Sequence, residues 1–150
     1  MHKFICISGC TASGKSSFAI ELSDYFESPV IINADALQVY DCWKILTDRP
    51  TEKKIMHDLY GHVSCNVNYS VGDWIKDVKN IFDLYSKNSK TFIFVGGTGL
   101  YFNALLNGLS QIPQIPEEIR DFANSCDLSF FLKRLNMNDP GILEKIDTNN

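Results

Sequence analysis

A chain of 150 residues with 45% hydrophobic and 21% charged side chains is the size and composition of one soluble globular domain, which excludes the disordered and fibrous classes. Its longest apolar runs, such as residues 92–95, are far too short to cross a membrane. The opening MHKFICISG lacks a signal peptide's apolar stretch, so the expected location is cytoplasmic. A net charge of −4 comes without a basic stripe, so composition by itself does not point to a nucleic-acid partner.

In chain order, Lys3–Ser8 reads as a short buried strand, followed by a glycine-rich turn and a helix over 15–26 whose Phe18, Ala19 and Leu22 share one apolar face. Pro29 interrupts the pattern, and 30–32 is a second buried strand. Ser70 is a helix N-cap with Asp73 three residues on, close to a capping box, and Trp74, Ile75, Val78, Ile81, Phe82 and Tyr85 continue at helical spacing. Residues 91–95 form a third strand of β-branched and aromatic side chains, and a Gly-Gly turn leads to a helix over 100–107. Alternating strands and helices predict an α/β fold, a parallel sheet with helices on both faces. The segment SQIPQIP, 110–116, breaks this rhythm with two prolines, and only short helical patterns follow, at Glu117–Ser125, 128–136 and 140–146. The expected organisation is therefore an α/β core over 1–112 and a helical appendage from 113 to 150.

The five cysteines form no C-x-x-C pair, which argues against a disulfide framework and against zinc, and Cys6 reads as a small core residue. His57 and His62 lack the partners a metal site needs, and Tyr101 and Phe102 read as core aromatics rather than base-stacking groups.

Chemistry concentrates at residues 9–16, GCTASGKS, which match G-x-x-x-x-G-K-[ST] between a strand and a helix. In this pattern the backbone N–H groups of Gly9, Thr11, Ala12, Ser13 and Gly14 curl around phosphate oxygens with a helix N-terminus behind them. Lys15 adds a compact positive charge, and the Ser16 hydroxyl is placed to ligate Mg²⁺. Such a loop is specific for phosphate and unspecific for reaction, because kinases, NTPases and some transferases all use it. The strand at 91–95 ends in GGTG without the carboxylate an ordinary NTPase would place there. Asp35, just past the second strand, would face the same crevice as the phosphate loop, as a general base or an outer-shell metal partner; as a turn aspartate it would do neither.

Three segments in order, GCTASGKS, NADALQVY followed by Thr47, Arg49 and Pro50, and VGGTGLYFNALLNGLS, resemble the N-terminal motifs of tRNA dimethylallyltransferases. HDLYGHV and YSVGDW, between them, are similar to what bacterial members carry there, and ILEKIDTNN resembles a segment of the family's helical insertion. Cys10, Ala36, Leu37, Leu46 and Arg49 depart from the family's usual residues. The resemblance implies a phosphate-loop NTPase-like three-layer core. It also implies transfer of a dimethylallyl group from its diphosphate to N6 of the adenine that follows the anticodon in tRNA. Residues 9–16 would then hold diphosphate, with Mg²⁺ at Ser16. Asp35 would take the N6 proton, Thr98 would stabilise the departing bridging oxygen, and Gln38 would read the base. Family members run to roughly twice this length, so the same resemblance implies a C-terminal portion supplying a further strand beside residues 4–8, an arginine for the diphosphate and the basic tRNA surface. Three rivals stand beside it: a phosphate-loop kinase using ATP, a transferase that prenylates free adenine nucleotide, and a non-catalytic diphosphate-binding remnant or half of a split enzyme. For the kinase, only Arg49, Arg120 and Arg134 exist to serve as lid arginines.

Overall fold

In a computed structural model, residues 2–51, 55–87, 89–110 and 115–147 are described. The chain divides into two compact units, Met1–Leu109 and Ser110–Asn150. The expected boundary at 112 and the middle of SQIPQIP lie outside the described residues.

The first unit is built on four parallel strands, β1 (Lys3–Ser8), β2 (Pro29–Asn33), β3 (Met56–Asp58) and β4 (Thr91–Gly96), in the order β1-β4-β2-β3. Parallel sheets bury both faces, and β4 shows why TFIFVG carries no alternation, since all six of its residues are buried. Successive side chains point to opposite faces. Val30, Ile32, Phe92 and Phe94 pack into one core with α2 (Val71–Leu84) and α3 (Gly99–Asn107), while Ile31, Ile93 and Val95 pack against Ala19 of α1 (Lys15–Ser23). The result is the expected three-layer α/β arrangement.

Trp74 is the anchor of the larger core. It is fully buried, its ring stacks on Tyr101 at 4.5 Å, and its indole N–H donates to the Asn33 carbonyl at 2.8 Å. Tyr101 and Phe102 are core residues. The α2 N-terminus carries a complete capping box, with Asp73 N–H donating to Ser70 Oγ at 3.2 Å and Ser70 N–H to Asp73 Oδ2 at 3.1 Å.

Several expectations need correction. Cys6 is exposed rather than core; it lies on β1, which pairs only with β4 among the described residues and is open on the side where a further strand was expected. In α1, which ends at Ser23 rather than 26, Ala19 and Ser23 are buried while Phe18 is 55% exposed. The short β3 and the 3₁₀ turn Asp41–Trp43 carry no sequence periodicity and were not anticipated. Cys42 and Cys65 form a disulfide, with Cα atoms 6.2 Å apart. A bridge between Tyr40 and Val63, closed by Asp41 N–H donating to the Val63 carbonyl at 2.9 Å, sets these distant segments side by side.

The second unit contains α4 (Glu117–Ser125) and α5 (Leu128–Asn138), with α5 running past the expected 136. Asp127 caps α5 by accepting from Phe130 N–H at 2.8 Å, and Phe122 meets Phe130 edge-on at 5.8 Å. Over 140–146 there is only a 3₁₀ turn, Ile142–Glu144.

Candidate active site

All four strands run in the same direction, so the loops leaving their carboxyl ends gather at one edge of the sheet, where ligands of open α/β folds bind. A cavity of about 410 Å³ lies there, lined by Thr11 to Ser17 after β1, Asp35 and Gln38 after β2, Tyr60 after β3 and Gly96–Gly97 at the end of β4. Leu46, Thr47, Asp48 and Val95 complete its wall.

The phosphate loop turns through two left-handed residues, Ala12 (φ 59°) and Gly14 (φ 82°), the latter being the N-cap of α1. No acidic side chain occupies the first turn of α1 itself, so the helix does not neutralise its own positive end. Lys15 folds back over the loop, donating to the Cys10 carbonyl and approaching Ser13 Oγ at 3.5 Å. Ser16, Asp35 and Asp48 all line the cavity, so oxygen groups of the kind Mg²⁺ takes are among its lining residues.

Asp35 therefore shares a cavity with Lys15 rather than facing the far side of the sheet. Its Oδ1 accepts from Leu37 N–H at 2.9 Å, a local turn that leaves Oδ2 without a hydrogen-bond partner among the described residues. Thr98 is the N-cap of α3, yet its hydroxyl makes no cap bond. It accepts instead from Ala36 N–H at 2.9 Å, while Thr98 N–H donates to the Ala34 carbonyl at 3.3 Å. Thr98 thus ties the GGTG turn, whose Gly96 and Gly97 line the cavity, to the Asp35 loop, and its O–H is left to donate. Gln38 does line the cavity, with its Nε2 donating to the Thr47 carbonyl at 3.1 Å, which holds the opposite loop in place. Gly9 supplies backbone only, beside Gly97.

Gly96 is required by close approach. A Cβ there would run into the Ala34 carbonyl group and Asp35 N, so only glycine lets β4 end against the start of the Asp35 loop.

Residue-level reading missed Tyr60. It is half-buried in the cavity wall, and burial first and the Asp35 charge second push its hydroxyl well above the usual tyrosine range, keeping it a proton-bearing donor. The only signal for it was its place in HDLYGHV. Arg49 donates to the Tyr40 carbonyl at 3.2 Å and lies against Gly61, so it is committed to backbone. His62 contacts Tyr69 Oη at 3.1 Å and Asp77 Oδ2 at 3.2 Å, and His57 Nδ1 lies 3.0 Å from the Ile55 carbonyl. Among the described residues, one trio of potential metal ligands comes together, Asp41, Cys42 and Cys65, and its two sulfurs are bonded to each other.

Residues 38–150 match the family model described as IPPT, IPP transferase. The chain belongs to the IPP transferase family. Among curated relatives, the tRNA dimethylallyltransferase of Jannaschia sp. (strain CCS1) is 43% identical over 152 residues, covering 99% of this chain and 50% of the relative. That of Bartonella tribocorum is 51% identical over 117 residues, 76% of this chain and 39% of the relative. This IPP transferase chain spans about half the length, or less, of these relatives. Among solved structures, a eukaryotic dimethylallyltransferase acting on tRNA superposes with a TM-score of 0.77 at 28% identity, covering 100% of this chain and 39% of that one. The full-length tRNA isopentenylpyrophosphate transferase of Bacillus halodurans gives 0.66 at 28% identity, with 100% and 52% covered.

Proposed function

We propose that this chain carries the diphosphate-binding and proton-accepting part of a tRNA dimethylallyltransferase. It would act on dimethylallyl diphosphate and on the adenine 3′-adjacent to the anticodon. The observation that carries the reading is the single cavity shared by the phosphate loop and Asp35. The adenine N6 attacks the allylic carbon, forming the C–N bond as the C–O bond to diphosphate breaks. The bonding pair leaves with the diphosphate, and the N6 proton passes to Asp35. The leaving group is a polyanion, so Lys15, the loop N–H groups and the α1 N-terminus supply the largest stabilisation by meeting charge where it develops. When bound, Mg²⁺ would be held by Ser16 and would supply charge neutralisation to the diphosphate. Thr98 acts by holding the Asp35 loop, and its O–H is the donor on offer to the bridging oxygen. Gln38 reads the base edge. The adenine must leave its stack to reach the cavity, which is easiest in a single-stranded anticodon loop. Such work suits a cytoplasmic location, and no helix among the described residues is long and apolar enough to cross a membrane. The relatives' length supports a C-terminal portion completing the tRNA surface.

Dimethylallyl diphosphate with Mg²⁺ at a hundredfold excess over Kd should stabilise the chain by about 2.7 kcal/mol, read as a rise in its thermal midpoint. Lys15→Ala should abolish the rise. Protection by ATP and none by the diphosphate would overturn the proposal in favour of a kinase, a reading that the commitment of Arg49 to backbone already disfavours.

A further inference from the structure

At the end of β2, where the buried run Val30, Ile31, Ile32 would continue most simply with another apolar residue, the chain places Asn33, and its side chain is 0% exposed. A buried amide is costly unless its hydrogen-bonding groups are met, and here they are. Asn33 Oδ1 accepts from Asp35 N–H at 3.0 Å, and Nδ2 donates to the Asp35 carbonyl at 2.9 Å and to the Leu59 carbonyl at 3.0 Å. Only one orientation of the amide fits, because the flipped one would set a donor against Asp35 N–H. The Asn33 carbonyl, in turn, is fixed by the Trp74 indole.

These bonds reach two walls of the cavity. One is Asp35, gripped on both sides of its backbone. The other begins at Leu59, a non-glycine residue held at φ 62°, immediately before Tyr60. Left-handed backbone at a leucine persists only where its surroundings dictate it, and the amide bond to its carbonyl is one such constraint.

We infer that Asn33 is a positioning residue, a buried amide that sets Asp35 and Tyr60 against each other across the cavity. Asn33 touches no cavity space itself, and it acts through its two neighbours. The inference rests on the reading of Asp35 as the proton acceptor.

The test uses Asn33→Ala, with Asn33→Ser as a gentler second variant should the first not fold. Hydrogen exchange on the chain should speed up by roughly tenfold at Asp35 N–H and around 59–61, with α1 unchanged. Uniform acceleration across the sheet, or none at Asp35, would overturn it. In dimethylallyl transfer, with the C-terminal portion of the Jannaschia relative supplied where the chain alone is silent, kcat should fall roughly 100-fold at unchanged KM for the diphosphate. In an Asp35→Asn background, Asn33→Ala should cost nothing further, whereas a merely structural role would add its own loss. If Asp35→Asn abolishes turnover and Asn33→Ala does not, the inference fails alone. If Asp35→Asn is fully active, or no transfer occurs at all, the transferase reading fails and the exchange result decides on Asn33.

Discussion

Gly96→Ala tests the close approach on which the cavity depends. The added Cβ overlaps the Ala34 carbonyl group and Asp35 N, which are backbone and have no rotamer to yield. Relief requires β4 and the Asp35 loop to separate, at the expense of Ala34 N–H to Val95 O (2.8 Å) and Thr98 N–H to Ala34 O (3.3 Å). Overpacking of a tight interior costs about 1–3 kcal/mol, and two weakened backbone bonds add about 1 kcal/mol each. A loss of about 3 kcal/mol or more follows, or a fall of roughly 10 °C or more in the melting midpoint for a unit of this size. Gly99→Ala is the control, because its Cβ meets nothing within 4 Å and its helical position favours alanine by about 0.5 kcal/mol. Urea unfolding of both variants measures the contrast. Equal stability of the two would refute the close-approach argument.

Ser70→Ala should cost about 1 kcal/mol by removing the α2 cap. The same cap gives an acid-sensitive increment. Hydrogen bonds from the Ser70 hydroxyl and N–H hold the Asp73 carboxyl below its usual range. Its contribution is therefore complete above the unfolded value of about 3.9 and is lost as pH falls through the lower folded value. Asp73→Asn should flatten that part of the stability–pH curve, and an unchanged curve would contradict the assignment. Reduction of Cys42–Cys65, which spans a separation of 23 residues, should cost about 3 kcal/mol. Melting with and without a thiol reductant reads this directly, and coincident curves would count against the bond.

What could be read in advance was what is written locally. The phosphate loop needs a strand, two glycines, a lysine and a serine within eight positions, and all are contiguous. The α2 helix announces itself through Ser70, Asp73 and the spacing of Trp74, Val78 and Ile81. Asp35 was legible because a carboxylate just past a buried strand has few other destinations in a parallel sheet. What escaped depends on pairing across the chain. The open side of β1 was implied by the family resemblance, but the exposure of Cys6 that goes with it is not encoded in the strand's apolar pattern. β3 is three residues held by backbone bonds to β2, and Cys42 meets Cys65 only because Tyr40 bridges Val63. Asn33 falls just past the strand read over 30–32; two of its three side-chain bonds go to Asp35 two residues on, and the third exists only once Leu59 has been brought beside it. Thr98 reads as a site residue from GGTG, but its bond from Ala36 N–H, 62 positions away, is a contact across the chain that the motif does not show.

The central claim is that a bound diphosphate and the Asp35 carboxylate work on one substrate pair in one cavity. Its most direct test is transfer of labelled dimethylallyl groups to an anticodon stem-loop by the unmodified chain and by Asp35→Asn, with the relative's C-terminal portion supplied to both. The account predicts that Asp35→Asn loses turnover by roughly 100-fold or more while binding the diphosphate as tightly as before. Full turnover in Asp35→Asn would contradict it.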